Sequence, residues 1–205
     1  MTNITIIGLT GPSGAGKTTL CTIADSFGIK SIDTDAVYHS LLVPPSACLD
    51  ELVTEFGNDI LLPDGRLDRA ALASIVFDKS DEKKLKLKRL GEITHKYVLD
   101  ESRKIIKAAT GRGERAIIVD APALYESGFD SECDFVICLL ADRELRLHRI
   151  SARDSISKER ADMRISGQKD DSFYSSRADY TLENDGSIDG MRAALQKILS
   201  DRGLI

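Results

Sequence analysis

No Cys-x-x-Cys pair occurs among the four cysteines, Cys21, Cys48, Cys133 and Cys138, and no histidine cluster accompanies them. That argues against a zinc module and fits free thiols in a reducing cytoplasm. The three histidines, His39, His95 and His148, lack metal-ligand spacing. No apolar run approaches membrane-spanning length. A formal charge of -5 supplies no global pull toward nucleic acid or an acidic membrane surface. No Asn-Lys-x-Asp string is present, which weighs against a GTPase switch. Internal repeats, low-complexity tracts and evident linkers are also missing. What remains is a chain of 205 residues, 42% apolar and 30% charged. That describes one α/β domain with room for a core and an inserted subdomain or lid. Its opening residues are expected in a core strand, so they do not read as a removable signal peptide.

The most informative stretch is Ile4 to Leu20. Ile4-Thr5-Ile6-Ile7 reads as a buried strand. Gly11-Pro12-Ser13-Gly14-Ala15-Gly16-Lys17-Thr18 satisfies G-x-x-x-x-G-K-[ST] at every fixed position. Leu20, Ile23, Ala24 and Phe27 then recur with helical spacing, and Gly28 supplies a left-handed stop. Three glycines let the backbone curl so that successive N–H groups face phosphate oxygens. The loop opens a helix, whose N-terminal donors favour anions. Lys17 adds charge for the terminal phosphates, and the Thr18 hydroxyl is placed to ligate Mg²⁺. The set read as binding a nucleoside triphosphate is Gly11, Gly14, Ala15, Gly16, Lys17, Thr18 and Thr19.

Downstream, Ile29 to Asp33 is a short strand ending in Asp33-Thr34-Asp35. Acidic residues leaving a strand's C-terminal end sit where open α/β sheets bind ligands, and either can instead cap the next helix. Ser46 caps a helix bearing Leu49, Leu52, Val53 and Phe56, closed by Gly57. Pro63-Asp64-Gly65 is a turn, and Asp68 caps a helix with Leu72, Ile75 and Val76. From Ser80 to Thr110 the pattern is helical and charged, with Leu90, Ile93, Tyr97 and Val98 as its apolar stripe. Lys83, Lys84, Lys86 and Lys88 form a solvated face.

Ala116 to Val119 is a strand buried on both faces. It ends in Asp120, where a P-loop protein holds Mg²⁺ or its water. A loop, 121–128, and a second apolar strand, Phe135 to Leu140, follow. Arg143 to Lys169 carries eight basic residues against four acidic ones. Arg149 and Arg153 share a helix face. Such a segment is either an exposed helix pair laced with ion pairs or a cationic lid, and a nearby triphosphate site favours the lid. Ser166-Gly167-Gln168 matches a transporter-ATPase signature only faintly, lacks the flanking residues and receives no assignment. Tyr180 to Glu183 is a last strand. The final helix turns Met191, Leu195, Ile198 and Leu199 inward. The element order is β-α-β-(helical insert)-β-α-β-lid-β-α, which implies a parallel sheet covered on both faces.

With these pieces in order, the chain resembles the dephospho-coenzyme A kinases from Ile4 to about Leu199. The resemblance rests on Gly8–Thr18, Ile32-Asp33-Thr34-Asp35, Asp64–Asp68-Arg69 with Leu72 and Phe77, and Ile93-Thr94-His95. It continues through Asp120–Gly128, Arg149 to Arg153-Asp154, Arg164 with Gln168, and Ala178-Asp179-Tyr180 leading to Asn184-Asp185-Gly186. It implies an α/β P-loop nucleoside triphosphate hydrolase fold of the nucleoside-monophosphate-kinase type. That fold has a five-stranded parallel sheet flanked by helices, a helical substrate-binding insertion and a lid. The implied activity is transfer of the ATP γ-phosphoryl group to the ribose 3′-hydroxyl of dephospho-CoA, the last step of coenzyme A synthesis.

By the same resemblance Asp33 is the general base, and Lys17, Arg149 and Arg153 complete the catalytic set. Asn184 falls at the adenine. Asp33, Asp35, His95, Asp120 and Leu124 are the substrate-binding residues. The whole chain, 1–205, is expected as one kinase domain. Its core is 1–40, 114–142 and 178–205, its insertion 41–113 and its lid 143–177. The expected partners are ATP and dephospho-CoA, with no nucleic acid or membrane, in a cytoplasmic monomer or weak oligomer. Three positions depart from the family pattern. Lys96 stands where a proline usually follows the histidine, and Ala123 and Tyr125 alter the apolar loop after Asp120. Another small-molecule P-loop kinase and a nucleotide-binding switch are the competing readings.

Overall fold

The computed structural model describes residues 4–76 and 82–205. Phe77 and Ser80 lie outside the described residues, as does the Lys83 side chain. The chain runs β1 (Thr5–Thr10), α1 (Lys17–Ser26), β2 (Lys30–Asp33), α2 (Thr34–Ser40), α3 (Ala47–Phe56), α4 (Arg69–Val76) and α5 (Glu82–Gly111). It continues β3 (Ala116–Asp120), β4 (Phe135–Leu140), α6 (Arg143–Asp154), α7 (Lys158–Ser166), α8 (Asp171–Ser175), β5 (Tyr180–Glu183) and α9 (Ile188–Asp201).

The five strands form one parallel sheet in the order β2-β3-β1-β4-β5. Strand composition follows this order. The inner strands read TIIGLT, AIIVD and FVICLL, and β4 is buried at every residue. The outer strands are more polar: KSID buries only Ile32, and YTLE alternates half-buried with exposed residues, as half-exposed edges allow. Strand β1 extends past the expected Ile7 to Thr10, because Leu9 and Thr10 pair with Ile137 and Cys138 of β4. Gly8 conceals this extension in the sequence. The Leu124 and Cys133 side chains lie 2.9 and 3.0 Å from where its Cβ would be.

One expected element is corrected. No α-helix joins β3 to β4; the connection is a run of turns closed by a 3-10 turn at Phe129–Glu132. Pro122 and the glycine at 128 interrupt any helical phase there. Helix α8 was unanticipated, being only five residues long.

The chain divides into two compact units, one reaching to Ile32 and resuming at Ile106–Ile205, the other Asp33–Ile105. In the first, Ile7, Leu9, Ile118 and Ile137 of the sheet pack with Leu20 and Ile23 of α1 and Leu195 and Leu199 of α9. The second has its own core around Leu42, Leu52, Ile60, Leu72 and Ile93. Its helix boundaries follow local chemistry. The Ser46 hydroxyl accepts the Leu49 N–H at 3.3 Å, and Asp68 Oδ1 accepts those of Ala70 and Ala71 at 2.9 and 3.0 Å. Each such cap is worth about 1 kcal/mol. Lys96 leaves α5 without a proline interruption over its 30 residues. It donates at 2.8 Å to Glu51 of α3, which the Tyr97 hydroxyl also meets at 2.7 Å. These bonds hold the Glu51 carboxyl below the usual carboxylate range.

Candidate active site

The phosphate loop leaves β1 in the centre of the sheet and enters α1 at Lys17. Its shape is maintained from outside the motif. The Asn184 side chain, 3% exposed just beyond β5, donates Nδ2 to the Ala15 carbonyl at 2.7 Å. Asn184 Oδ1 accepts the Gly186 N–H at 3.0 Å and Arg149 Nη2 at 3.4 Å. Arg149 in turn spreads Nη1 over the carbonyls of Gly14 and Ala15, at 3.1 and 3.2 Å. With the Gly14 and Ala15 carbonyls taken up by these donors, fewer acceptors are left to repel an anion at the loop. A side chain at Gly16 would collide with the Asn184 carboxamide. The Lys17 ammonium folds back over the loop and donates to the Gly11 carbonyl at 3.0 Å.

Arg153, expected beside Arg149, is differently engaged. It forms a two-pronged pair with Asp154, Nε to Oδ1 at 2.8 Å and Nη2 to Oδ2 at 3.0 Å. Arg164 bonds the same carboxylate, and hydrogen bonds from Arg153 lead in holding its pKa below the ordinary value. The two arginines on one face thus have separate partners: loop carbonyls for one, a carboxylate for the other.

Thr18 and Thr19 are exposed in the first turn of α1. Asp120 ends β3 in register with Leu9 of β1. Among the described residues no group of three or more His, Cys, Asp or Glu could cage a metal. A hydroxyl with a single carboxylate suits Mg²⁺, which keeps most of its shell as water and phosphate oxygen.

Asp33 is the last residue of β2 and caps α2, its Oδ1 accepting from Asp35 N at 2.9 Å and Ala36 N at 3.0 Å. Of the two acids it is therefore Asp33 that caps, while Asp35 sits in the helix's first turn, where negative charge is favoured. His95 is half-buried in α5. Leu124, expected at the substrate, is fully buried beneath Gly8.

The altered loop after β3 is tied down by its own substitution. Tyr125, 8% exposed, donates its hydroxyl to the Tyr174 carbonyl of α8 at 3.0 Å and stands edge-on to Phe173. Burial pushes its phenol up to about 12. Tyr125→Phe keeps the ring contacts and is expected to cost about 1 kcal/mol, measurable by urea unfolding.

Sequence reasoning overlooked Arg146, which is 5% exposed and bonded to the loop at Ser13. Burial pulls its guanidinium below the ordinary arginine value. Its signal was helical phase, since it lies four residues before the fully buried Ile150.

A loop, a lysine and an arginine brace specify a phosphate chain; comparison with known proteins narrows the class. A family model for dephospho-CoA kinase matches residues 5–190. The Corynebacterium glutamicum dephospho-CoA kinase is 33% identical over 195 residues, spanning 95% of this chain and 96% of its own. That of Carboxydothermus hydrogenoformans is 36% identical over 194 residues, spanning 95% and 92%. The solved dephospho-CoA kinase from Campylobacter jejuni superposes with a TM-score of 0.68 at 27% identity, covering 98% of each chain. A match of this length takes in the phosphate loop, its arginine brace and the helical unit together, and the chain belongs to the dephospho-CoA kinase family.

Proposed function

We propose that this protein transfers the γ-phosphoryl group of ATP to the ribose 3′-hydroxyl of dephospho-CoA, giving coenzyme A and ADP. The observation that carries this reading is the braced loop Gly11–Thr18 within a family match spanning 5–190. A ribose hydroxyl is a weak nucleophile, so its proton must be taken up as its oxygen bonds to the γ-phosphorus. Asp33 takes that proton, while the bond from the γ-phosphorus to the bridging oxygen breaks and ADP departs. Capping α2 does not exhaust the carboxylate, which has about four acceptor positions.

Lys17 leaves the Gly11 carbonyl for the terminal phosphates, and Arg153 exchanges Asp154 for the developing phosphoryl charge. Arg149 and Asn184 hold the loop around the donor through the Gly14 and Ala15 carbonyls, and Asn184 also serves the adenine side. Thr18, with Asp120 nearby in the role the strand end suggests, would hold Mg²⁺, which would neutralise phosphate charge when bound. Residues 41–113 serve the acceptor, with Asp35 and His95 contributing there. Residues 143–177 close as a lid, keeping out water that would otherwise take the phosphoryl group. The protein works on small molecules in the cytoplasm, as a monomer or weak oligomer.

The test is a panel of acceptors with ATP and Mg²⁺, following ADP release and product mass. Dephospho-CoA is expected to gain one phosphoryl group, with nucleosides and nucleoside monophosphates inert. Turnover on the latter with none on dephospho-CoA would reject the assignment.

A further inference from the structure

Ser166-Gly167-Gln168 received no assignment from the sequence, yet the structure engages Gln168 directly with the phosphate loop. Its Oε1, in the turn after α7, accepts two hydrogen bonds, from the Ser13 N–H at 3.2 Å and from Arg146 Nη2 at 3.0 Å. Arg146 places Nε on the Ser13 carbonyl at 3.1 Å and Nη1 on Asp171 at 3.2 Å. The peptides on both sides of Ser13 are therefore held, one through its N–H and the other through its carbonyl. The next residue, Gly14, rests on the Arg146 backbone, whose Cα lies 3.1 Å from where a Gly14 Cβ would be.

We infer that Arg146 and Gln168 are positioning residues that preset the phosphate loop for ATP, acting through the Ser13 peptides rather than on the nucleotide. This rests on the reading of Gly11–Thr18 as the ATP site. A guanidinium buried this deeply carries a large desolvation cost unless its nitrogens find acceptors, and here Ser13, Gln168 and Asp171 meet one each. Only a planar fork reaches three acceptors in these directions; an ammonium does not. Stability alone is a weak reason to retain such a group, since apolar replacements often serve as well. Fixing a loop is a better one. With the N–H and the C=O of Ser13 both held, its two flanking peptides resist flipping, so the neighbouring N–H groups meet phosphate without reorganising. Gln168 precedes α8 and Asp171 opens it, both in the segment read as a lid, so the part of the chain expected to cover ATP also shapes the phosphate loop.

The experiment compares the full-length protein with Gln168→Leu, Gln168→Glu and Arg146→Lys, titrating each with ATP and Mg²⁺ by calorimetry. Steady-state KM values for both substrates and hydrogen exchange at the Ser13 amide accompany it. Gln168→Leu removes the shared acceptor and is expected to weaken ATP binding roughly tenfold, to leave the dephospho-CoA KM unchanged and to speed Ser13 exchange. Gln168→Glu retains an acceptor oxygen and should recover most of the affinity. Arg146→Lys should resemble the leucine variant; the Gln168 pair decides the matter even if that protein folds poorly. Unchanged ATP binding in Gln168→Leu, or equal weakening in the leucine and glutamate variants, would overturn the inference. Failure of the unaltered protein to bind ATP would instead overturn the reading of the loop itself.

Discussion

Asp33→Asn is expected to lower turnover by about 10² or more, the usual scale for losing a general base, with ATP affinity and stability close to those of the unaltered protein. The structure makes this substitution unusually clean. Asp33 Oδ1 caps α2 through the N–H groups of Asp35 and Ala36, and asparagine caps as well as aspartate does. The amide therefore preserves the helix start and removes only the capacity to accept a proton. Asp33→Ala would confound the two by also giving up about 1 kcal/mol of cap. The measurements are kcat with saturating dephospho-CoA, calorimetric ATP affinity and thermal melting on one preparation. Turnover within a fewfold of the unaltered protein would leave Asp33 as a cap and nothing more.

The second large effect concerns folding rather than chemistry. Gly11→Ala is expected to destabilise the protein by on the order of 3–5 kcal/mol. Gly11 has φ +139°, and a Cβ there would overlap the carbonyl oxygen of Leu139. That oxygen belongs to β4, which is bonded to β1 on one side and β5 on the other, so it has nowhere to retreat. Gly28 provides the contrast. Its φ is +80°, but nothing lies within 4 Å of the position a Cβ would take. Gly28→Ala should cost only the left-handed penalty of about 1–2 kcal/mol. In a chain of this size each kcal/mol lowers the melting temperature by roughly 2–4 °C. Equal melting of the two variants would show that β4 yields after all.

Local signals were read well from the sequence. Gly11–Thr18 is defined by spacing. Ser46, Gly57 and Asp68 mark helix ends through bonds between near neighbours. The unbroken apolar run of β4 declares burial on both faces. Long-range pairing was not legible. Nothing in KSID or YTLE says that these strands lie at opposite edges of the sheet. Arg146 looked like one more charge on a basic helix, and only its phase with Ile150 hinted that it points inward. Asn184 could be matched by resemblance, but its grip on Ala15 spans 169 positions and leaves no local pattern. The α-helix expected between β3 and β4 came from the usual alternation of α/β chains, against the local evidence of Pro122 and Gly128.

The bracing of the phosphate loop also bears on how the protein comes into being. Ser13 is held from residue 146, Gly14 and Ala15 from 149, and Ala15 again from 184. Strand β1, although first in the sequence, lies between partners that begin at residues 116 and 135. On a ribosome the motif emerges well before residues 146, 149 and 184, and it waits for them before it acquires its shape. Nucleotide binding thus requires synthesis at least as far as Asn184. A truncated or stalled product would carry the complete signature sequence while lacking the contacts that make it a receptor for phosphate.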